Sequence, residues 1–181
     1  ELLEEGAIIA LGEAQEEKRA GRKKILIDIN RDYKYVLCIG IESNDTYISV
    51  VNLAGEIIFS KSIPTDTDIS PEEFLKKVSD ECKVAMWEYQ IEKGRIMAVG
   101  VSVPGMVDKE KGVILKPYNI WKTEVPVKAI LEAYLGFDVF VENNAKAYAK
   151  TEIMFGEGRS GDHIFMLKWG PGVGSALILD G

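Results

Sequence analysis

Tyr35-Val36-Leu37-Cys38-Ile39-Gly40-Ile41, Glu42-Ser43-Asn44-Asp45-Thr46, Tyr47-Ile48-Ser49-Val50-Val51-Asn52-Leu53, Ala54-Gly55-Glu56 and Ile57-Ile58-Phe59-Ser60 follow one another without a break, and their reading decides the fold. The apolar runs are short and are separated by polar, turn-forming segments, so they predict three strands in an antiparallel meander. Next, Ser70 suits an N-cap, Pro71 the first helical position and Glu73 the partner in a capping box. Apolar residues at 74, 75, 78, 82, 85, 86 and 89 recur at helical spacing, which predicts a helix that ends near Gly94 and packs one stripe on the meander. Ile96 to Val103 then reads as a continuous apolar strand bounded by Pro104-Gly105. The succession β-β-β-α-β makes an α/β ligand-binding domain, with polar clusters at the strand ends where ligands of such sheets sit.

Outward from that unit, Val113-Ile114-Leu115 is a shorter strand, and Ala129 to Leu135 a compact helix stopped at Gly136. Val139-Phe140-Val141 reads as a buried strand entering Glu142-Asn143-Asn144-Ala145, and a small-residue helix runs on through Ala147 and Ala149 to Phe155. Ile164 to Trp169, Gly170-Pro171-Gly172-Val173-Gly174 and Ala176 to Leu179 form strand, glycine turn, strand. In the other direction, Leu2 to Glu5 reads as the end of a helix stopped at Gly6, followed by an apolar strand. Ile25, Ile27 and Ile29 alternate with Leu26 and Asp28 as a partly buried strand would, completing a hairpin around a polar tip. Lys18, Arg19, Arg22, Lys23 and Lys24 crowd that tip, and on local evidence a charge run of this kind is a solvated turn.

Composition narrows the function classes. The 181 residues are 46% hydrophobic and 28% charged, enough for one large domain or two small ones. Lys and Arg number 22 against 29 Asp and Glu, a formal net charge of −7, which excludes a surface that wraps nucleic acid by bulk positive charge. Any DNA contact has to be local. No apolar run approaches the roughly 18 residues of a membrane helix, and the opening Glu1-Leu2-Leu3-Glu4-Glu5 is unlike a signal peptide, so a cytoplasmic, membrane-free location is expected. With Cys38, Cys82 and a single His163, soft ligands are too few for a zinc site within these residues, and both cysteines read as core thiols.

Two polar segments offer chemistry. The 170–174 turn lets phosphate oxygens approach backbone N–H groups without a Cβ in the way, but a glycine turn between strands is equally a tight hairpin. Glu142-Asn143-Asn144 presents amides and a carboxylate suited to the hydroxyls of a polyol, or serves simply as a helix cap. Tyr118 and Trp121 can stack on a sugar face, though packing is the commoner use of such rings, and His163 is expected at the surface or a strand edge.

Taken in order, Gly100-Val101-Ser102-Val103-Pro104-Gly105-Met106-Val107-Asp108, Pro117-Tyr118-Asn119-Ile120-Trp121, Val139 to Ala147 and Gly170 to Gly174 resemble the ROK family of repressors, open reading frames and sugar kinases. The front end, Leu2 to Ile8 with Gly21-Arg22-Lys23-Lys24 and Ile25 to Asn30, is similar to the close of the winged helix-turn-helix in its xylose- and N-acetylglucosamine-repressor-like branch. The resemblance implies an α/β, actin-like (ribonuclease-H-like) sugar kinase fold preceded by the end of that winged helix. It implies a wing at 1–31, a first lobe at 32–118 and an incomplete second lobe at 119–181. It places sugar contacts at Asn119, Glu142, Asn143 and Asn144, and phosphate-facing positions at Glu42, Asn44, Asp45, Thr46, Gly170, Gly172 and Gly174. Arg19, Arg22, Lys23 and Lys24 become DNA contacts.

The chain departs from the family's kinase pattern at its working positions. Kinases carry Asp-x-Gly-Gly-Thr where Glu42-Ser43-Asn44-Asp45-Thr46 stands, so both glycines are gone and a carboxylate faces the phosphate position. Pro171 replaces the Thr of the second turn, and Asn144 stands where the family's catalytic Asp removes a proton from the sugar hydroxyl. A positioned general base contributes typically about 10²- to 10⁴-fold, and an amide cannot serve as one. Asn144 still hydrogen-bonds a hydroxyl, so recognition outlives turnover. The expected function is therefore a sugar-responsive transcriptional repressor whose kinase-like domain senses a small sugar, acting on operator DNA as a homodimer or higher homo-oligomer. The alternative is an ATP-dependent kinase of glucokinase or N-acetylglucosamine kinase type with an atypical site. ATP and Mg are called for only in that alternative, and the family's zinc cysteines are expected downstream of residue 181, so the chain reads as a fragment of a longer polypeptide.

Overall fold

The computed structural model describes residues 1–13, 24–170 and 172–180. In chain order the elements are β1 (Ile8–Glu13), β2 (Ile25–Ile29), β3 (Tyr35–Ile41), β4 (Asp45–Asn52), β5 (Ile57–Pro64), α1 (Pro71–Glu88), β6 (Ile96–Val103), β7 (Gly105–Asp108), β8 (Val113–Pro117), α2 (Val127–Leu135), β9 (Val139–Asn143), α3 (Asn144–Phe155), β10 (Ile164–Trp169) and β11 (Val173–Ile178).

β3, β4 and β5 form the meander, with Ile39 opposite Ile48 and Val50 opposite Phe59. The apolar run of β6 pairs parallel to β3, Ile39 against Val101, and β9 pairs parallel to β6, Val101 against Val141. The sheet order is therefore β5-β4-β3-β6-β9. Both parallel crossovers step in the same direction, so right-handed connections put α1 and α2 on one face. Alternation along the strands fills that face with Leu37, Ile39, Ile41, Ile48, Val50, Val99, Val101, Val139 and Val141, packed with Phe74, Leu75, Val78 and Cys82 of α1 and Leu131 and Leu135 of α2 in one core. This is the actin-like, ribonuclease-H-like topology expected from the sequence.

Local signals explain the helix ends. The Ser70 hydroxyl accepts from Glu73 N–H at 3.2 Å and opens α1. The helix closes at Glu88, earlier than the expected Gly94, because Gln90 adopts a left-handed φ of 55° and the amides of Gln90 and Ile91 return to Trp87 and Met86 carbonyls. Gly136, φ 69°, ends α2 as expected. Gly6, φ 77°, closes the opening turn, with Ala7 N–H on Leu2 O at 3.0 Å.

Three sequence expectations need correction. The strand Ile25–Ile29 exists, paired antiparallel to β1, but it is exposed along its whole length, because among the described residues no further layer covers this two-stranded ribbon. Cys82 is a core thiol, whereas Cys38 sits half-buried on the opposite face of the sheet, one residue out of phase with Leu37 and Ile39. The boundary at 118/119 does not divide the structure, since β9 completes the first sheet and α2 shares its core. Among the described residues no helix is long and apolar enough to cross a membrane.

Candidate functional site

Parallel strands bring their carboxyl ends to one edge, and that edge is where this chain concentrates its polar residues. β3 ends into Glu42, β6 into Pro104-Gly105 and β9 into Asn143-Asn144. The turn after β8 adds Tyr118 and Asn119, the latter in a left-handed conformation at φ 58°, and the end of β10 with the following glycine turn adds Lys168, Gly170, Gly172 and Gly174. Together they surround a cavity of about 780 Å³, within the size range of small-molecule sites.

A carboxylate organises its floor. Glu42 accepts from Asn144 Nδ2 at 3.2 and 3.3 Å, from the Tyr148 hydroxyl at 3.2 Å and from the Lys168 ammonium. Asn144 is buried, and its Oδ1 takes the Ala145 N–H at 2.9 Å. Burial, followed by the Glu42 charge, pushes the Tyr148 phenol above its ordinary value, so the hydroxyl stays protonated and donating. Lys168 Nζ also lies 5.8 Å from the centre of the Tyr148 ring. Neither Lys168 nor Tyr148 was legible as a site residue from sequence, because no motif marks either one.

The sequence-predicted positions divide. Asn119, Asn143, Asn144, Glu42, Asn44, Asp45, Gly170, Gly172 and Gly174 all line this cavity. Asn143 is the N-cap of α3: its Oδ1 accepts from Lys146 N–H at 3.1 Å while its Nδ2 donates to Gly105 O at 2.8 Å, tying α3 to the turn after β6. Glu142 points to the other face of the sheet, into a separate cavity of about 580 Å³ shared with Cys38 and Ser102. There it accepts from Lys150 at 2.9 Å and from Asn143 N–H at 3.0 Å. Burial alone would raise its carboxyl, but Lys150 and the Asn143 amide outweigh that and hold it below the usual range. Thr46 is fully buried, bonded to Thr65 at 2.8 Å, and takes no part in the cavity. Tyr118 is half exposed at the cavity mouth, whereas Trp121 is buried edge-on against Phe74, ring centres 6.0 Å apart. His163 lies at the surface, accepting from Asp180 N–H. Arg19, Arg22, Lys23 and Pro171 lie outside the described residues, and Lys24 is exposed at the start of β2.

In the 42–46 turn Glu42 N–H donates to Asp45 O at 3.0 Å, and Asp45 lines the cavity. Among the described residues no cluster of His, Cys, Asp and Glu is arranged to hold a metal ion.

A model of the ROK family matches residues 36–181. The chain is 30% identical over 183 aligned positions to the xylose repressor of Caldicellulosiruptor bescii, an alignment covering 99% of this chain and 45% of that protein. It is 31% identical over 146 positions to the glucokinase of Streptomyces coelicolor, covering 79% of this chain and 44% of the glucokinase. In three dimensions it resembles a ROK family transcriptional regulator, a homologue of the E. coli MLC protein, with a TM-score of 0.78 and 23% identity over 99% of this chain and 45% of the other. The chain thus spans about half the length of the relatives it matches.

Proposed function

Because the chain belongs to the ROK family, we propose that it is the sensing part of a sugar-responsive transcriptional repressor that keeps sugar recognition and has lost phosphoryl transfer. The carrying observation is the Asn144 amide, donated to Glu42 where the family's kinases have their base. A carboxamide accepts hydrogen bonds through its oxygen but is far too weak a base to take a proton from a substrate hydroxyl at neutral pH. The extent of the matches supports the same reading: the xylose repressor aligns with 99% of the chain, hairpin included, and the glucokinase with 79%.

In this reading β1 and β2 are the wing of a DNA-binding domain, residues 1–31, and Arg19, Arg22, Lys23 and Lys24 meet operator phosphates or a narrow minor groove. The cavity at the strand ends takes a small sugar. Closure of the chain's lobes on that sugar turns paired wings in a homodimer, by no more than the sugar's differential affinity for the two states. The full-length protein should retard operator DNA in a gel-shift titration, and one monosaccharide should change that retardation. A coupled ADP-release assay over a sugar panel should stay far below the roughly 1 s⁻¹ at which typical enzymes begin. Brisk sugar-dependent ADP release would establish the kinase instead.

A further inference from the structure

Resting on the sugar-sensor reading, we propose that Lys168, paired with Glu42, is the residue that restricts the cavity to uncharged sugars. Among the described residues lining the cavity, Lys168 is the one cation, paired with Glu42, and Asp45 is the other acidic residue of the lining. The two side chains of the pair are only 21% and 19% exposed, so neither leaves the other without stranding a desolvated charge. An anionic ligand finds this cation already engaged. A phosphate taking the donors that Lys168 has left would lie beside the Glu42 carboxylate, whose charge already offsets that of the ammonium.

A neutral polyol meets the opposite situation. An ionised carboxylate has about four acceptor sites, and on Glu42 all four are engaged, because Asn144 reaches both oxygens while Tyr148 and Lys168 take one each. An ammonium has three donors, and Lys168 gives one to Glu42. The pair therefore still offers two donors, and a sugar hydroxyl, which accepts without bringing a charge, satisfies them without disturbing the ion pair. The Lys168 side chain joins β10 to the end of β3, 126 positions earlier, so the same contact sets the distance between the glycine-turn hairpin and the sheet.

Isothermal titration of the full-length protein tests this, with D-xylose, D-glucose, N-acetyl-D-glucosamine, glucose 6-phosphate and inorganic phosphate as probes. Wild type should bind at least one uncharged sugar and neither phosphate species. Lys168→Met should weaken that sugar at least tenfold, and Lys168→Arg should retain most of the affinity while still rejecting phosphate. Glu42→Gln lowers the carboxylates lining the cavity from two to one and frees Lys168, so it should begin to bind glucose 6-phosphate or phosphate. That gain, which structural damage would not produce, keeps the proposal testable if Lys168→Met fails to fold. Unchanged sugar affinity in Lys168→Met, or continued rejection of both phosphate species by Glu42→Gln, overturns the role of Lys168 and leaves the sensor reading standing. A wild type that binds none of the sugars overturns the sensor reading itself, and this proposal with it.

Discussion

An amide at position 144 and a carboxylate at position 42 are chemically matched, which makes the obvious reversal uninformative as a repair. Asn144→Asp would set a second carboxylate 3.2–3.3 Å from Glu42 and delete the donor between them. The expected outcome is a loss of about 1–3 kcal/mol in thermal or urea unfolding near neutral pH and no gain of ADP release, because Asp45 of the 42–46 turn still lines the cavity. Appearance of sugar-dependent ADP release in this variant would overturn the argument. On the opposite face, Glu142 is held below its unfolded value, so its contribution to stability is complete above the ordinary Glu range near pH 4.3 and is lost as pH falls through the lower folded value. Glu142→Gln should therefore flatten the acid limb of a stability-versus-pH curve relative to wild type. Burial pushes the Cys82 thiol up to about 12, so alkylation at pH 8 should leave Cys82 unmodified until urea unfolds the chain. Positions 142–144 were legible in the sequence as a polar cluster, but not their division of labour. Alternation along β9 sends neighbouring side chains to opposite faces, and only the finished sheet shows which face holds the cavity.

Among the elements, legibility followed how local the cause was. α1 could be read because its cap, its proline and its apolar stripe lie within its own residues, and Ser70→Ala should cost about 1 kcal/mol in urea unfolding. Its end could not be read, since Gln90 stops the helix by taking a left-handed conformation that its residue type does not advertise. The strands β3, β6 and β9 were readable as apolar runs, yet the parallel pairing that aligns Glu42, Gly105 and Asn144 is a long-range outcome. Lys168 lay beyond sequence reasoning for the same reason. Gly105 marks where backbone geometry is most demanding: its φ is 129°, and a Cβ there would stand 2.3 Å from Lys116 O. Gly105→Ala should destabilise by more than about 1 kcal/mol and loosen the Asn143 amide that donates to its carbonyl. A variant with wild-type melting behaviour would show that the turn relaxes freely.

At the scale of the whole molecule, the two-stranded ribbon and the sheet domain meet through a joint of backbone and side-chain hydrogen bonds. Asn30 Nδ2 donates to Gly6 O at 2.8 Å, Leu53 N–H to Arg31 O at 2.9 Å, and Asn52 Nδ2 to Asp32 Oδ1 at 3.2 Å. Arg95 reaches across to Asp32 O and stacks on Tyr35, 4.6 Å from the ring centre. The Arg31–Glu56 ion pair at the same joint is more than half exposed on both sides and adds little. Such a joint orients the ribbon on the sheet domain, yet among the described residues the core takes nothing from the ribbon. Every residue of the main core begins at Tyr35 or later, while Ile25, Ile27 and Ile29 of the ribbon each remain about 58–59% exposed. Stability of the sheet domain and attachment of the ribbon are therefore separable. Removing everything before Arg31 from the full-length protein should leave its thermal midpoint within a few degrees, because no buried apolar area of the core is lost. The truncated protein should keep its sugar affinity by titration and lose operator retardation completely. Truncation that abolished sugar binding in a protein still folded by circular dichroism would mean that the ribbon shapes the cavity, and the division of labour between wing and sensor would have to be abandoned.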